Sequence, residues 1–173
     1  MIQKKIQTKP NRNYSNYIFI TCIIVVLTVL IGVENVAEKE DNLLLNDFSL
    51  YQKADLLLQE GDTESVIPIL EELHKTYNDD FNISYRLGYA YLSTNRYDSA
   101  LVMYTKSLDL NPYFVENKDF LYEYVIILAN NEQNDNAILV IDRLLELPID
   151  ENFKGKVTEL RDSISINLKG STT

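Results

Sequence analysis

The feature that most constrains this chain is a self-similarity with a period of 34 residues. When residues 47–80 are laid over residues 81–114, six pairs of positions match in one register. The pairs are Leu50 with Ser84, Ala54 with Gly88, Leu57 with Tyr91, Val66 with Ala100, Leu70 with Tyr104 and Leu73 with Ser107. Small side chains at such positions let two helices cross closely, because a large one would force the axes apart. The spacing predicts two successive helical hairpins.

A third copy is visible when three residues are inserted. Segment 113–117 is longer than a minimal turn, and from Lys118 the same offsets recur at a spacing of 37 residues. The positions are Leu121, Val125, Leu128, Ala137, Ile141 and Leu144. Turns between the two helices of each copy are predicted at Gly61-Asp62, Asn95-Arg96 and Asn134-Asp135, where a left-handed residue or an N-cap is needed.

The best-preserved copy runs from Phe81 to Pro112 and resembles a tetratricopeptide repeat, a helix–turn–helix unit that stacks into a superhelix. The residues that carry the resemblance are Leu87, Gly88, Tyr91, Ala100, Tyr104 and Pro112. It implies an all-α fold, a right-handed helical-hairpin solenoid over residues 47–150 with units 47–80, 81–114 and 118–150. Val125 departs from the family pattern, which usually has Gly or Ala there.

The segment 151–170 carries an apolar stripe at helical spacing, formed by Phe153, Val157, Leu160, Ile164 and Leu168. A solenoid needs a terminal helix that covers its last apolar face and presents a polar face to water. We therefore expect residues 151–170 to form a capping helix.

Ahead of the repeats, residues 17–33 form a run of 17 residues without a charge. A helix of this length spans roughly 25 Å, within the lower range for crossing a bilayer. The tail 1–16 is basic, and all 26 Asp and Glu lie beyond residue 33. By the positive-inside rule, this pattern predicts a single-pass transmembrane helix with a cytoplasmic N-terminus. A linker, 34–46, would then lead to repeats on the extracytoplasmic side, the periplasm in a bacterium.

A basic head followed by an apolar run is also typical of a secretory signal peptide. The stretch Asn35-Val36-Ala37 is a poor cleavage site, and the apolar run is longer than usual for a signal. Secretion after cleavage, and a buried helix of a soluble protein, remain as alternatives to the anchor.

Composition argues against several classes of function. The net charge of −10 disfavours nucleic acid, whose phosphates are held by Lys and Arg. The only histidine, His74, and the only cysteine, Cys22, cannot supply the ligands of a zinc site. The glycines are too isolated for a phosphate-binding loop, and the acidic pairs lack the spacing of a calcium loop. We therefore expect no enzyme, and no catalytic residue, cofactor or metal.

The resemblance implies a binding site instead. In tetratricopeptide repeat proteins, the first helices of successive units line a groove that holds a peptide or a partner helix. Transfer by register gives the candidate partner-binding residues Tyr51, Asp55, Asn82, Tyr85, Tyr89, Tyr122 and Ile126. Tyr51, Tyr85 and Tyr122 share one offset in all three units, and tyrosine is enriched at binding hot spots. The alternative is that these tyrosines pack between helices.

One subgroup of the family clamps the C-terminal carboxylate of a chaperone peptide with Lys and Asn side chains. The corresponding places here hold Tyr51, Asp55 and Arg86, so most of that basic clamp is missing. Beyond residue 33 there are 12 Lys and Arg against 26 Asp and Glu, which favours a neutral or basic partner surface.

These observations together predict a membrane-anchored scaffold or adaptor that binds a protein or peptide in its groove. Two alternatives remain: a structural module that associates with its own copies as a homo-oligomer, and an accessory subunit of an envelope enzyme complex.

Overall fold

The computed structural model describes the backbone of residues 12–170 and the side chains of residues 17–30, 39 and 43–166. Within this range all the regular secondary structure is helical. The α-helices are α1 (Arg12–Glu60), α2 (Thr63–Thr76), α3 (Phe81–Ser93), α4 (Tyr97–Leu110), α5 (Lys118–Asn130), α6 (Asn134–Glu146) and α7 (Glu151–Gly170). A 3₁₀ turn at Pro112–Glu116 joins α4 to α5. The chain divides into two compact units, Met1–Asp47 and Phe48–Thr173.

In the first unit, the side chains of residues 17–30 on α1 are exposed. Residues 1–11 of the predicted basic tail lie outside the described residues, as do the side chains of its residues 12–16 and of the last three residues of the predicted span, 31–33. In the part of the chain that the structure describes, no helix combines the length and apolar character needed to cross a bilayer. The stretch 34–46, which we interpret as a linker, continues α1 without a break.

The second unit consists of three helix pairs followed by α7. Ala54 in the last turns of α1 is buried in one cluster with Val66 and Leu70 of α2, α3 packs on α4, and α5 packs on α6. The predicted all-α hairpin architecture is confirmed. In α7, Val157 and Ile164 are buried in the core of the third pair, and Arg161 forms an ion pair of 2.9 Å with Asp142 of α6.

The small residues of the repeat pattern lie where the two helices of a pair cross. Ala54, Val66, Ala100 and Ala137 are all fully buried. At Gly88 an added Cβ would be 2.7 Å from Cδ2 of the buried Tyr104 ring. Glycine is therefore required at position 88 by the close approach of α3 to α4.

Each hairpin turn contains one residue in the left-handed region, and these residues keep the spacing of the repeats. They are Gly61 (φ 77°), Asn95 (φ 57°) and Glu132 (φ 59°). The prediction of the third turn at Asn134-Asp135 is wrong, because α6 already begins at Asn134. Residue 132 is the position that the spacing of 37 residues from Asn95 gives, and a Glu there carries no turn signal that sequence reading would recognise.

The 3₁₀ turn between α4 and α5 has a packing function. It places the Phe114 ring against three other rings. The Phe114 centroid lies 4.6 Å from that of Phe120, 5.4 Å from that of Tyr85 and 5.5 Å from that of Phe81. The turn therefore supplies an aromatic side chain that packs between the second and third helix pairs.

Candidate functional site

A pocket of about 280 Å³ opens between α1 and α3 in the second unit. It is lined by Leu58 of α1 and by Asn82, Tyr85, Arg86 and Tyr89 of α3, and we call it the α1–α3 pocket. Its α3 residues lie one helical turn apart on one face, since positions i, i+3, i+4 and i+7 of a helix are neighbours. Asn82, Tyr85 and Tyr89 are among the candidate groove residues derived from the sequence.

Tyr85 is half-buried, and its ring belongs to an aromatic cluster between the second and third helix pairs. The ring centroid lies 5.6 Å from that of Tyr104, at a T-shaped angle, and 5.7 Å from that of Phe120. Its hydroxyl donates a hydrogen bond of 3.0 Å to Oε2 of Glu123. Tyr85 thus lines the pocket while it also packs against the following helix pair.

Glu123 of α5 is half-buried, and its carboxylate accepts hydrogen bonds from two tyrosine hydroxyls. The same Oε2 atom accepts a hydrogen bond of 2.7 Å from the hydroxyl of the buried Tyr104. Desolvation raises the pKa of Glu123, against the hydrogen bonds from Tyr104 and Tyr85, which favour the ionised carboxylate. Burial, followed by the charge of Glu123, raises the pKa of both tyrosines.

Arg86 connects α3 back to the last turns of α1. Its guanidinium forms an ion pair with the carboxylate of Asp55, and both side chains are about 30% exposed. The guanidinium carbon lies 5.1 Å from the centroid of the Tyr51 ring. Tyr51 and Asp55, two of the candidate groove residues, are therefore engaged by Arg86.

Tyr122 of α5 is contacted by α7, the helix that follows the third helix pair. Its ring centroid lies 5.5 Å from that of Phe153 on α7. Tyr51, Tyr85 and Tyr122 are thus each half-buried, and each is contacted by the helix that follows its own helix pair: by Arg86 of α3, Glu123 of α5 and Phe153 of α7, respectively. Tyrosine recurs at this offset for a structural reason: each of these side chains joins its helix pair to the helix that follows it.

Of the other three candidates, two are more accessible. Asn82 and Tyr89 are exposed, with 38% of the Tyr89 surface accessible. Ile126 is half-buried, and its main-chain oxygen accepts a hydrogen bond from the Asn130 side chain. Asn82 and Tyr89 flank Tyr85 in the α1–α3 pocket and are the lining residues best exposed to a ligand.

Sequence reasoning missed Glu123 as a site residue and used Arg86 only to argue against a basic clamp. A signal was present, because Arg86 and Glu123 share one offset in successive units and directly follow the recurring tyrosines. The charged side chain at this offset contacts the tyrosine of the preceding repeat: Arg86 contacts Tyr51, and Glu123 contacts Tyr85. Without the fold, two charges of opposite sign at one offset do not indicate a common role.

His74 lies near the end of α2 and is half-buried. Its Nε2 atom is buried without a hydrogen-bond partner. Burial, together with the charge of Lys106, lowers the pKa of His74 and favours the neutral ring. Within the described residues, no three His, Cys, Asp or Glu side chains are grouped so that they could hold a metal ion.

Comparison with protein families identifies the central helix pair. Residues 82–114, which comprise most of α3, all of α4 and the start of the 3₁₀ turn, match the tetratricopeptide repeat. This segment is similar to a tetratricopeptide repeat. It contains the crossing at Gly88 and four of the five residues of the α1–α3 pocket. No curated protein sequence matches the chain.

Several solved structures have a similar fold. The type III secretion chaperone SycD of Yersinia enterocolitica, in complex with a peptide of the translocator YopD, is 17% identical, with a TM-score of 0.56 over 69% of this chain and 92% of that chain. MamA MSR-1 C2 is 23% identical, with a TM-score of 0.56 over 65% and 62%. The first tetratricopeptide-repeat domain of Spaghetti (RPAP3), bound to the HSP90 peptide SRMEEVD, is 12% identical, with a TM-score of 0.55 over 69% and 95%. These similarities show that the helical-hairpin solenoid is of the tetratricopeptide-repeat type.

Proposed function

We propose that this protein is an interaction adaptor whose repeats bind a peptide or partner helix along α1, α3 and α5. The observation that carries the proposal is the α1–α3 pocket, which combines the rings of Tyr85 and Tyr89 with the polar side chains of Asn82 and Arg86. Pockets that bind ligands typically join a few convergent polar groups to apolar walls. The proposal assigns no catalytic residue and no cofactor.

Two of the structural neighbours support this proposal, because each has a peptide bound. SycD is in complex with a YopD peptide, and the Spaghetti domain is bound to the HSP90 peptide SRMEEVD. Of the candidate partner-binding residues, Asn82 and Tyr89 would make the direct contacts, since they are exposed. Tyr51, Asp55, Tyr85, Tyr122 and Ile126 would contribute the partly covered walls on either side.

Photo-crosslinking in cells of the source organism tests the adaptor function. A photoreactive amino acid replaces Tyr89 in one variant and Tyr113 in the control, which is an exposed tyrosine in the 3₁₀ turn, away from the residues that line the pocket. A partner crosslinked from position 89 but not from position 113 is the expected result. Equal crosslinking from both positions, or self-crosslinking alone, would contradict an adaptor; the second result would favour a self-associating module.

We further propose that residues 17–33 anchor the protein in a membrane, with the repeats on the extracytoplasmic side. The charge-free sequence and the exposed apolar side chains of residues 17–30 support this assignment. Membrane fractionation of the full chain, with N-terminal sequencing of the mature protein, is the test. Recovery of an intact chain from the membrane fraction is expected, whereas a soluble chain that starts after residue 33 would indicate a cleaved signal.

A further inference from the structure

The charge of the α1–α3 pocket is set by one cation that already has a partner. Arg86 is the charged residue among those that line the pocket, and Asp55 is ion-paired with it from α1. An anionic ligand that approached Arg86 would have to compete with Asp55 for the same guanidinium. It would also be repelled by the Asp55 carboxylate, and like charges brought together at an interface cost binding free energy.

Two carboxylates of α5, which do not line the pocket, lie near the Tyr85 side chain that does. Glu123 lies behind the Tyr85 hydroxyl, and Asp119 stands one turn earlier on α5, where it is exposed. Residues four apart on a helix are neighbours on one face, so the two carboxylates lie together. The charge of Asp119 contributes to raising the pKa of both Glu123 and Tyr85, which indicates that its field reaches the pocket wall.

The most accessible ring among the lining residues is that of Tyr89. Tyr89 is exposed and lies one turn from Tyr85 on the same face of α3. The face of an aromatic ring attracts a cation, and an acidic surrounding strengthens that preference. Tyr89 offers its ring at the pocket, the carboxylates of Asp119 and Glu123 near Tyr85 add negative charge outside the lining, and Arg86 is already ion-paired with Asp55.

We infer that the α1–α3 pocket takes a cationic side chain, Lys or Arg, from a peptide segment of the partner, and that the Asp55–Arg86 ion pair excludes acidic segments. This inference rests on the proposed function and adds the chemistry of the partner. Asp55 is then a specificity-determining residue: it cancels the charge that would otherwise attract a carboxylate.

Selection of a random-peptide display library against the full-length protein in detergent micelles tests the inference. Each enriched peptide is synthesised and measured against the variants Tyr89→Ala and Tyr113→Ala. A peptide that loses affinity for the first variant but not for the second is a pocket ligand. We expect pocket ligands to share a Lys or Arg at one position.

The contribution of the cation is then measured by replacing that residue of the peptide with norleucine, which keeps an aliphatic chain without the charge. We expect a loss of about tenfold in affinity for the wild-type protein, the factor that corresponds to 1.4 kcal/mol. The loss should become smaller for Asp119→Asn and smallest for Asp119→Asn combined with Glu123→Gln. Asp119 is exposed, and Gln at 123 keeps an acceptor for the tyrosine hydroxyls, so both variants are expected to fold.

The exclusion of acids is tested separately with the peptide SRMEEVD as the probe. Wild-type protein should not bind it measurably, whereas Asp55→Asn, which leaves Arg86 without its charge partner, should gain affinity. Binding to wild-type protein as tight as to Asp55→Asn would overturn the role of Asp55.

The outcomes distinguish this inference from the proposed function. Pocket ligands without a shared basic residue, or with a norleucine effect below about twofold, would overturn the inference and leave the adaptor function standing. If no enriched peptide were weakened by Tyr89→Ala, the adaptor function itself would fail, and the inference with it.

Discussion

Glu123 accepts a hydrogen bond of 3.0 Å from the hydroxyl of Tyr85, from a position 38 residues later in the chain. The same oxygen accepts a hydrogen bond of 2.7 Å from the hydroxyl of Tyr104. One carboxylate oxygen therefore joins α3, α4 and α5, which belong to two successive helix pairs. Because the pocket-lining Tyr85 is one of its partners, Glu123 links the stability of the repeat stack to the shape of the α1–α3 pocket.

The first prediction concerns the removal of this carboxylate. Glu123→Ala should lower the free energy of unfolding by about 2–3 kcal/mol, because two partly or fully buried hydroxyls lose their acceptor. Glu123→Gln should cost less, about 1 kcal/mol, because its amide oxygen can still accept. Urea denaturation measures both, with the exposed Glu159→Ala on α7 as the control. Equal stability of Glu123→Ala and the control would mean that the carboxylate does not join the helices.

The second prediction compares two glycines within helices. Gly88→Ala should destabilise the protein by about 1–3 kcal/mol through overpacking, because its Cβ would meet Cδ2 of Tyr104 at 2.7 Å. Tyr104 cannot move away easily, since it is buried and hydrogen-bonded to Glu123. Gly155→Ala has open space around its Cβ and should stabilise α7 by about 0.5–1 kcal/mol. Thermal and urea unfolding of both variants would show opposite shifts; two shifts of the same sign would contradict the packing argument at Gly88.

The parts of the fold that the sequence predicted are those controlled by local spacing. Helices α3 and α5 begin at Phe81 and Lys118, the residues with which the second and third copies start. Gly88 and Ala100 could be recognised because close helix crossing tolerates only small side chains. The position predicted for the third turn was two residues too late. Glu132 adopts the left-handed conformation there, and glutamate is not a residue type that indicates such a turn.

The candidate site was predicted less completely, for a physical reason. An offset such as that of Tyr85 lies at the edge between the groove face of its helix and the face that packs on the next unit, so periodicity cannot separate the two roles. The structure shows that Tyr85 has both a pocket position and a partner in Glu123. That partner, like the stacking of Phe114 on Phe120, depends on contacts between units, which a repeat pattern does not encode.

The third prediction concerns alkaline pH. Burial raises the pKa of Tyr85 and Tyr104, and burial with a hydrogen bond to Glu71 raises the pKa of Tyr91 to about 12. A raised pKa in the folded state contributes stability that is fully present below the unfolded value, near pH 10, and is lost as the pH rises through the folded value. At pH 11 the folded chain should therefore contain less tyrosinate than the chain unfolded in urea. Absorbance at 295 nm measures this, and superimposable titration curves would contradict the burial of these hydroxyls.

The fourth prediction concerns mild acid. Burial lowers the pKa of His74, with a contribution from the charge of Lys106, so protonation of His74 favours the unfolded state. Its contribution to stability is fully present above its unfolded pKa of about 6.5 and is lost as the pH falls from that value through the lower pKa of the folded state. Glu123 acts in the opposite direction at lower pH, because its pKa is raised in the folded state.

The effect of His74 is therefore measured as a difference between two proteins. The midpoint of thermal unfolding is recorded from pH 7.5 to pH 5.5 for the wild type and for His74→Gln, which cannot gain the charge. We expect the wild type to lose more stability than the variant as the pH falls. Parallel curves would mean that His74 takes up its proton equally well in both states.

The last prediction concerns the contact between the first two helix pairs. Arg86 lies over the ring of Tyr51 and is ion-paired with Asp55, so a single truncation cannot separate the two interactions. A double-mutant cycle with Tyr51→Leu and Arg86→Met isolates the ring contact, with a coupling energy of about 0.5–1 kcal/mol expected from urea unfolding. The matched cycle with Asp55→Asn and Arg86→Met isolates the ion pair, which should weaken in high salt while the ring contact persists. A coupling energy near zero between Tyr51 and Arg86 would mean that Tyr51 does not join the first two helix pairs. Its side chain would then be available to a partner in the groove.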